Sequence, residues 1–472
     1  MKRWLFADVR STVGALSTAS LLLVACGPER ATGDVVTIDA RSDGAMDATG
    51  DLSSPDASGD VGREAAAPCP VSGVEVSGTI LAPNGEDPIA GAVVYLARTR
   101  PTPQAAGVGC DRCELPPDVL AYSVSDAQGR WAFVRGVNES GSFFLVVQKG
   151  RFRRVVPFDV TACAARTVPP ETTKLPGSRM EGEIPRILVA SGATADQMDR
   201  PATGDWTYDD IARVLRRIGI TEFDRSDPCR RAGNTTDITQ VANCPFGGIL
   251  ANAATLNNYN VVVAGCGALG FNHSWQVLDH APNRVIPMNV RDWLRRGGRL
   301  YTSDTAYGLL ARSVPQVATF AGGTTLTMGR DPANVGFGAS PPNGRMYTGS
   351  VPDVPLRTWL MDRGSLGAGG SINLTGFISP WVAIDTVPMT TRTVVDAEVE
   401  WFSSVPNMPM PAGRRPLTIS ADVTEGGGCG RIVFSSYEVD NRTASPTAPL
   451  TPQERVLEYM IFELGGCLQT PG

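Results

Sequence analysis

Two kinds of hydrophobic spacing divide this chain, and the break between them limits the folds open to it. Up to about residue 166 apolar residues run or alternate over strand lengths between turns. From Ile184 onward such runs alternate with segments of helical period. The first pattern builds packed antiparallel sheets, and the second builds a parallel sheet flanked by helices. Between them, Pro170 to Glu183 (PETTKLPGSRMEGE) has the composition of a linker. The expectation is a multidomain protein, an all-β sandwich over 69–166 followed by an α/β parallel-sheet domain over 184–467.

In the first region VEVSGTIL and GAVVYLA are strand-like and are separated by the turn PNGEDP. SVSDAQGRWAFV holds a DAQG turn between two more strands, and SFFLVVQKG and RRVVPFDV complete the set. Short strands at this spacing imply a sandwich. Trp131 and Phe133, at alternate positions of one strand, read as core rather than as a sugar-stacking platform. The order VSGTI, PIAGAVVYL, SDAQGRWAF, FFLVVQKG resembles the carboxypeptidase regulatory-like domain, a transthyretin-like sandwich. That resemblance implies an accessory module without chemistry of its own.

In the second region PRILVAS, NYNVVVAGCG and RLYTSD read as buried strands. TYDDIARVLRRIG is a helix with Ile211, Val214, Leu215 and Ile218 on one face, a capping-box-like start at Thr207 and Asp210, and a stop at Gly219. MNVRDWLRRGG is a helix closed by two glycines. RPLTISADV and GRIVFSSYEV are strands, and LTPQERVLEYMIFELGG is a helix with Thr451, Pro452 and Glu454 as cap, first-turn and third residues. AGCGALG, 264–270, has neither the spacing nor the following helix of a dinucleotide site and reads as a strand-end turn. Residues 311–415 form an insertion rich in glycine and proline at its start, with a short helix at VPLRTWLMDRG and strands at GFISPWVAIDTV and DAEVEWFSSV. Packed over the carboxyl edge of the sheet, it would cover the usual ligand position of an open α/β fold as a lid, a binding surface or padding.

This order of elements resembles the class I glutamine amidotransferase-like fold, a flavodoxin-like sheet, over about 184–310 and 416–465. In that family a turn after a strand carries the nucleophilic cysteine, and a late strand carries His, any residue, then Glu. Laid onto LYTSDTAYGLL, the resemblance puts Asp304 at the cysteine position, with Leu309 and Leu310 on the helix behind it. In FSSYEVD it leaves Glu438 and Asp440 but no imidazole. Acyl transfer needs an activated thiolate and a proton relay, and two carboxyl groups supply neither. The two histidines, His273 and His280, lie seven apart in one segment with Asp279 beside the second, a spacing that matches no zinc motif. No catalytic residue, metal or cofactor is therefore assigned. If the chain is an enzyme after all, Asp304, Glu438 and Asp440 are its acid, base or metal ligands, acting on a carbohydrate.

The amino terminus bears on location. Lys2, Arg3 and Arg10 precede an apolar run through Leu16 and Leu21 to Val24, too short to span a bilayer as a helix. It ends in LVAC, which resembles the lipoprotein cleavage box, so residues 1–26 read as a lipoprotein signal with Cys26 as the lipidated residue. Gly27 at the next position, by the same resemblance, leans towards the outer membrane of a bacterial envelope. Residues 27–67 hold no aromatic residue and nine acidic residues against three arginines, a composition that reads as a disordered acidic tether. Its net charge of −6 equals that of the whole chain, which leaves the remainder near neutral. That argues against nucleic-acid binding, which needs a basic face, and no nucleic-acid partner is expected. The expected partners are the membrane, through the anchor, and an envelope glycan or protein.

Nine cysteines remain besides Cys26. The expected pairs are Cys69 with Cys163, Cys110 with Cys113, Cys229 with Cys244, and Cys429 with Cys467, and Cys266 is odd. CDRC has a redox spacing, but redox motifs open a helix, and ELPPD follows here.

Overall fold

The structure is a computed structural model that describes residues 69, 75–111, 113–134, 136–192, 209–229, 241–269, 278, 281–320, 337–338, 346–375, 377, 381–402, 409–439 and 448–467. Cys26, Thr207, His273, Asp279, His280 and Asp440 lie outside the described residues.

The first region forms two sheets. One orders β4 (Arg130–Phe133), β1 (Val76–Thr79) and β7 (Arg166–Val168). The other orders β3 (Val119–Val124), β2 (Val93–Ala97), β5 (Gly141–Lys149) and β6 (Phe152–Val160). Val76, Trp131 and Phe133 of the first sheet share a core with Val94, Leu96, Leu145 and Val147 of the second. Strand β2 is buried on both faces because Val93, Tyr95 and Ala97 on its other side pack with Val146 and with Leu115 of the 99–118 segment, which lies over the sheet. That explains why VVYLA runs apolar instead of alternating. The DAQG turn is held by the Asp126 carboxylate, which accepts from the backbone N–H groups of Gln128 (2.9 Å) and Arg130 (2.8 Å), with Gly129 at φ +70°.

The second region holds a large mixed sheet. Its parallel half orders β9 (Asp224–Arg225), β8 (Ile187–Ala190), β10 (Val261–Ala264), β11 (Arg299–Ser303) and β20 (Gly430–Ser435). Counted along the chain this is 2-1-3-4-5. Residues alternate across it: Ile187, Val189, Val261, Val263, Tyr301 and Val433 face one core, and Leu188, Ala190, Val262, Leu300, Ile432 and Phe434 face the other.

Helices cover both faces. On the first lie α2 (Ile211–Arg217), capped by the Asp210 carboxylate on the N–H of Arg213, and α8 (Pro452–Leu464). The expected capping box is present on α8, with Thr451 and Glu454 exchanging hydrogen bonds. On the second face lie α3 (Pro245–Ala251), the short α4 (Ala253–Leu256), α5 (Val285–Arg295) and α6 (Tyr307–Ser313).

The region expected as an insertion mostly extends the same sheet. β14 (Tyr347–Ser350), β15 (Ile372–Leu374), β18 (Thr391–Phe402) and β19 (Pro409–Val423) continue it antiparallel from β20, and α7 (Val354–Asp362) packs beside α8. Four short strands complete the set: β12 (Thr319–Phe320) pairs with β17 (Ile384–Thr386), and β13 (Phe337–Gly338) pairs with β16 (Trp381–Val382), which lies near the carboxyl end of β11.

The 170–183 stretch, whose composition reads as a linker, is packed. Its helix α1 (Pro170–Thr173) places the Thr173 hydroxyl 2.6 Å from the Thr79 carbonyl, and Leu175 is buried. One core runs from the sandwich into the α/β region: Phe152 meets Phe462 of α8 with ring centroids 5.4 Å apart, and the Trp359 indole N–H donates to the Pro88 carbonyl at 2.8 Å. Asp87 of the sandwich accepts from Arg455 and Arg363, and Lys149 pairs with Glu463 at 2.7 Å.

Disulfides add to this seam. Cys69–Cys163 closes the sandwich, and Cys229–Cys244 closes a short loop. The expected Cys110–Cys113 and Cys429–Cys467 pairs are not formed. Cys110 pairs instead with Cys429, and Cys113 with Cys467, at Cα separations of 5.6 and 5.7 Å. The reason is tertiary: the 99–118 segment is laced to the sandwich by Arg151 and Arg153, which donate to the carbonyls of Ala105 and Thr102. That lacing sets the cysteines against the ends of β20 and α8, a proximity that spacing along the chain does not reveal.

Candidate functional site

The carboxyl ends of β10, β11 and β20 bring together Cys266, Asp304 and Glu438. One ligand atom from each lies within 4.8 Å of the others, and each residue is 4 % exposed. Sheet register accounts for the first two. Ala264 of β10 pairs with Thr302 of β11, so Cys266 and Asp304, each two residues further on, emerge side by side. Ser303 pairs with Ser435, which brings Glu438 to the same edge from the other flank.

Asp304 sits on the turn into α6 with φ +41°, a left-handed conformation that aspartate tolerates better than a branched residue. Leu309 and Leu310 of α6 are buried behind it. Its Oδ1 accepts from the Val382 N–H at 2.8 Å, and its Oδ2 accepts from the Cys266 thiol at 3.4 Å. The Cys266 Sγ also lies 3.3 Å from the Thr305 hydroxyl oxygen, which in turn accepts from the Gly267 N–H at 2.9 Å. Ser303 links this group to a third buried carboxyl group: its hydroxyl accepts from the Cys266 N–H at 3.0 Å and donates to Asp209, whose other oxygen accepts from the Val439 N–H at 2.9 Å.

The electrostatics follow from burial among like charges. Burial pushes the Asp304 carboxyl up to about 7, with the Asp209 charge adding to it against the bonds from Val382, Cys266 and Thr305. Burial, then the charges of Asp304 and Glu438, push the Cys266 thiol well above its ordinary range. At neutral pH the thiol keeps its proton, and Asp304 is part protonated. A thiol in that state is a poor nucleophile.

Access is closed as well. Val382 of β16 covers Asp304, and Phe377, Trp381 and Tyr437 fill the adjoining space, with centroids 4.9 Å apart for Phe377–Trp381 and 5.6 Å for Phe377–Tyr437. Glycoside cleavage needs carboxyl groups about 5–9.5 Å apart with a sugar between them. Asp304 and Glu438 have oxygens within 4.8 Å, and among the described residues no open cleft lies between them. A divalent cation, with ligand distances of about 2.0–2.6 Å, suits the spacing better, and the thiolate and carboxylate set would suit a borderline ion such as zinc.

In the sequence Asp304 and Glu438 stand out together through the family resemblance and Cys266 only as the odd cysteine, while Asp209, Ser303 and Thr305 carry no mark of a site. The odd cysteine count, together with its place two residues past a buried strand, is the signal that points to Cys266. For Asp209, which precedes α2 and reaches the site only through the fold, the sequence carries no such signal.

No protein-family model matches the chain, and no curated protein matches it. Among solved structures the chain is similar to the 5-hydroxyisourate hydrolase of Klebsiella pneumoniae, at 20 % identity over 21 % of this chain and 83 % of that one, with a TM-score of 0.14. It is also similar to the exo-β-1,4-mannosidase Op5Man5 of Opitutaceae bacterium strain TAV5, at 9 % identity over 62 % of this chain and 38 % of that one, with a TM-score of 0.25.

Proposed function

We propose that this chain is a non-catalytic, lipid-anchored protein of the bacterial cell envelope that serves as a binding or scaffold module for an envelope glycan or protein. In this reading Cys26 carries the lipid, residues 27–67 are the tether, and the rest is a rigid body held off the outer membrane. The observation that carries the non-catalytic part is the sealed corner: Cys266, Asp304 and Glu438 are each 4 % exposed, and the thiol is held protonated. Four disulfides are in keeping with an oxidising compartment. The 2-1-3-4-5 order of the parallel strands supports a flavodoxin-like, amidotransferase-like domain that has lost its cysteine and histidine pair. The two sheets of the 69–166 region support a carboxypeptidase regulatory-like sandwich beside it.

The test is a screen of the purified protein on envelope glycans, with Asp304→Asn as control, beside a glycan array and a pull-down from envelope extract. Specific capture without turnover is the expected result. Turnover that vanishes in Asp304→Asn would overturn the reading. A second reading, a metal-assisted hydrolase acting on carbohydrate, is favoured by the 4.8 Å clustering of Cys266, Asp304 and Glu438. It predicts stoichiometric metal in the purified protein, lost in Cys266→Ser.

A further inference from the structure

At the amino end of β11 four cysteines meet at one place. The buried Arg299 guanidinium donates through one terminal nitrogen to the Cys429 carbonyl (2.7 Å) and through the other to the Gly466 carbonyl (3.4 Å). The backbones carrying Cys429 and Cys467 are therefore held side by side. Across the seam, Cys110 and Cys113 stand three residues apart on one segment and bridge to those two. The four sulfurs thus have a second complete pairing, Cys110–Cys113 with Cys429–Cys467, and the C-x2-C spacing lets the first of these close locally although no helix follows it.

The four differ in access. Cys110 is exposed, Cys113 and Cys467 are half-buried, and Cys429 is buried. Cys110 and Cys113 both line an open groove of about 710 Å³ between the 99–118 segment and the sandwich, wide enough to admit a thiol. The Gln148 amide lies 3.4 Å from the Cys113 sulfur and can stabilise charge there, and Arg151, paired with Asp111, lines the same groove. A hydrogen-bond donor beside a sulfur stabilises its thiolate and makes it a better leaving group.

We propose that Cys110 is the entry point of a thiol–disulfide exchange site through which an external thiol, small or borne by an oxidoreductase, changes the pairing of these four cysteines. The thiolate attacks the Cys110 sulfur, forms a mixed disulfide there and releases the Cys429 thiolate. Cys429 attacks the Cys467 sulfur, forming Cys429–Cys467 and releasing the Cys113 thiolate. Cys113 then attacks Cys110 and returns the external thiolate. Two disulfides enter and two leave, with no net oxidation. The observed pairs join residues 319 and 354 positions apart, so the product has lost both covalent ties between the 99–118 segment and the α/β region. That leaves the segment walling the groove held only by its noncovalent contacts, among them the hydrogen bonds from Arg151 and Arg153, while the chain stays folded.

The experiment incubates the intact, folded protein in a redox-balanced glutathione buffer, quenches with acid and alkylation, and maps disulfide-linked peptides by mass spectrometry while circular dichroism follows the fold. The expected result is loss of the Cys110–Cys429 and Cys113–Cys467 peptides and gain of Cys110–Cys113 and Cys429–Cys467. Cys69–Cys163 and Cys229–Cys244 should persist, and the dichroism should not change. In a Cys113→Ala, Cys467→Ala double variant the sequence of steps stops early, and a glutathione adduct should accumulate on Cys110. Native pairing that outlasts the other two bridges, exchange seen only with loss of the dichroism signal, or first adducts on another cysteine would each overturn the proposal.

Discussion

Strand β11 begins on one buried ionisable residue, Arg299, and is followed at once by another, Asp304, and the two ends solve the same problem in opposite ways. At the amino end Arg299, 1 % exposed, has carbonyl partners held for it by Cys429 and Gly466, and the flanking segments are tied by two disulfides. At the carboxyl end Asp304 is packed among Cys266, Asp209 and Glu438, and protons rather than a partner cation limit the charge. Burial lowers the Arg299 guanidinium to about 10, which still leaves it charged at neutral pH, whereas the same burial lifts Asp304 to about 7. A buried cation surrounded by carbonyls acts as a fixed fastener. A buried acid among acids is sensitive to pH and to metal.

The comparison can be broken first at the carboxyl end. Asp304 has a folded value of about 7 against an unfolded one of about 3.9, so the native state holds the proton more tightly. Its contribution is present in full below about pH 4 and is lost as pH rises to about 7, an upper bound of about 4 kcal/mol. Asp304→Asn keeps an acceptor for the Val382 N–H and removes the titration. Urea midpoints across this range should fall with pH in the parent and stay flatter in the variant, and parallel slopes would show that Asp304 is not the titrating group.

At the amino end, Arg299→Met should cost about 3 kcal/mol at every pH in the same range, because two buried carbonyls lose a charged donor and keep no other. A pH-dependent loss would mean that the fastener titrates too. The smallest effect is expected at Glu425→Gln, close to the same end. Its pair with Arg295 at 2.8 Å is 56 % exposed on the acid, so solvent screens it, and denaturant midpoints should change by less than about 0.5 kcal/mol.

Much of this was readable along the chain. Period-2 and buried-run patterns located β1, β5, β8, β10, β11 and β20. Cap chemistry located α8 through Thr451 and Glu454, whereas α2 starts about a turn later than the expected box at Thr207 and Asp210, because Asp210 is itself the cap and bonds the Arg213 N–H. The turn at Asp304 was legible because a buried strand ends there and a helix with Leu309 and Leu310 begins. What escaped was everything that depends on register between distant strands. Cys266 reads as an odd thiol until Ala264 is set against Thr302, and Asp209 has no visible role until Ser303 reaches it. VVYLA looked like a strand without a solvent face, and only the 99–118 segment supplies the cover on its second side.

The same division holds for the disulfides and for the site. Local sequence determined which segments are strands and helices, because backbone preference and hydrophobic period act over a few residues. It also determined that nine cysteines besides Cys26 must be accommodated, leaving one odd. Which sulfurs meet, and which acids cluster, only the tertiary structure decided. Contacts between positions hundreds of residues apart depend on how sheets and loops pack, and packing is set by the whole core at once.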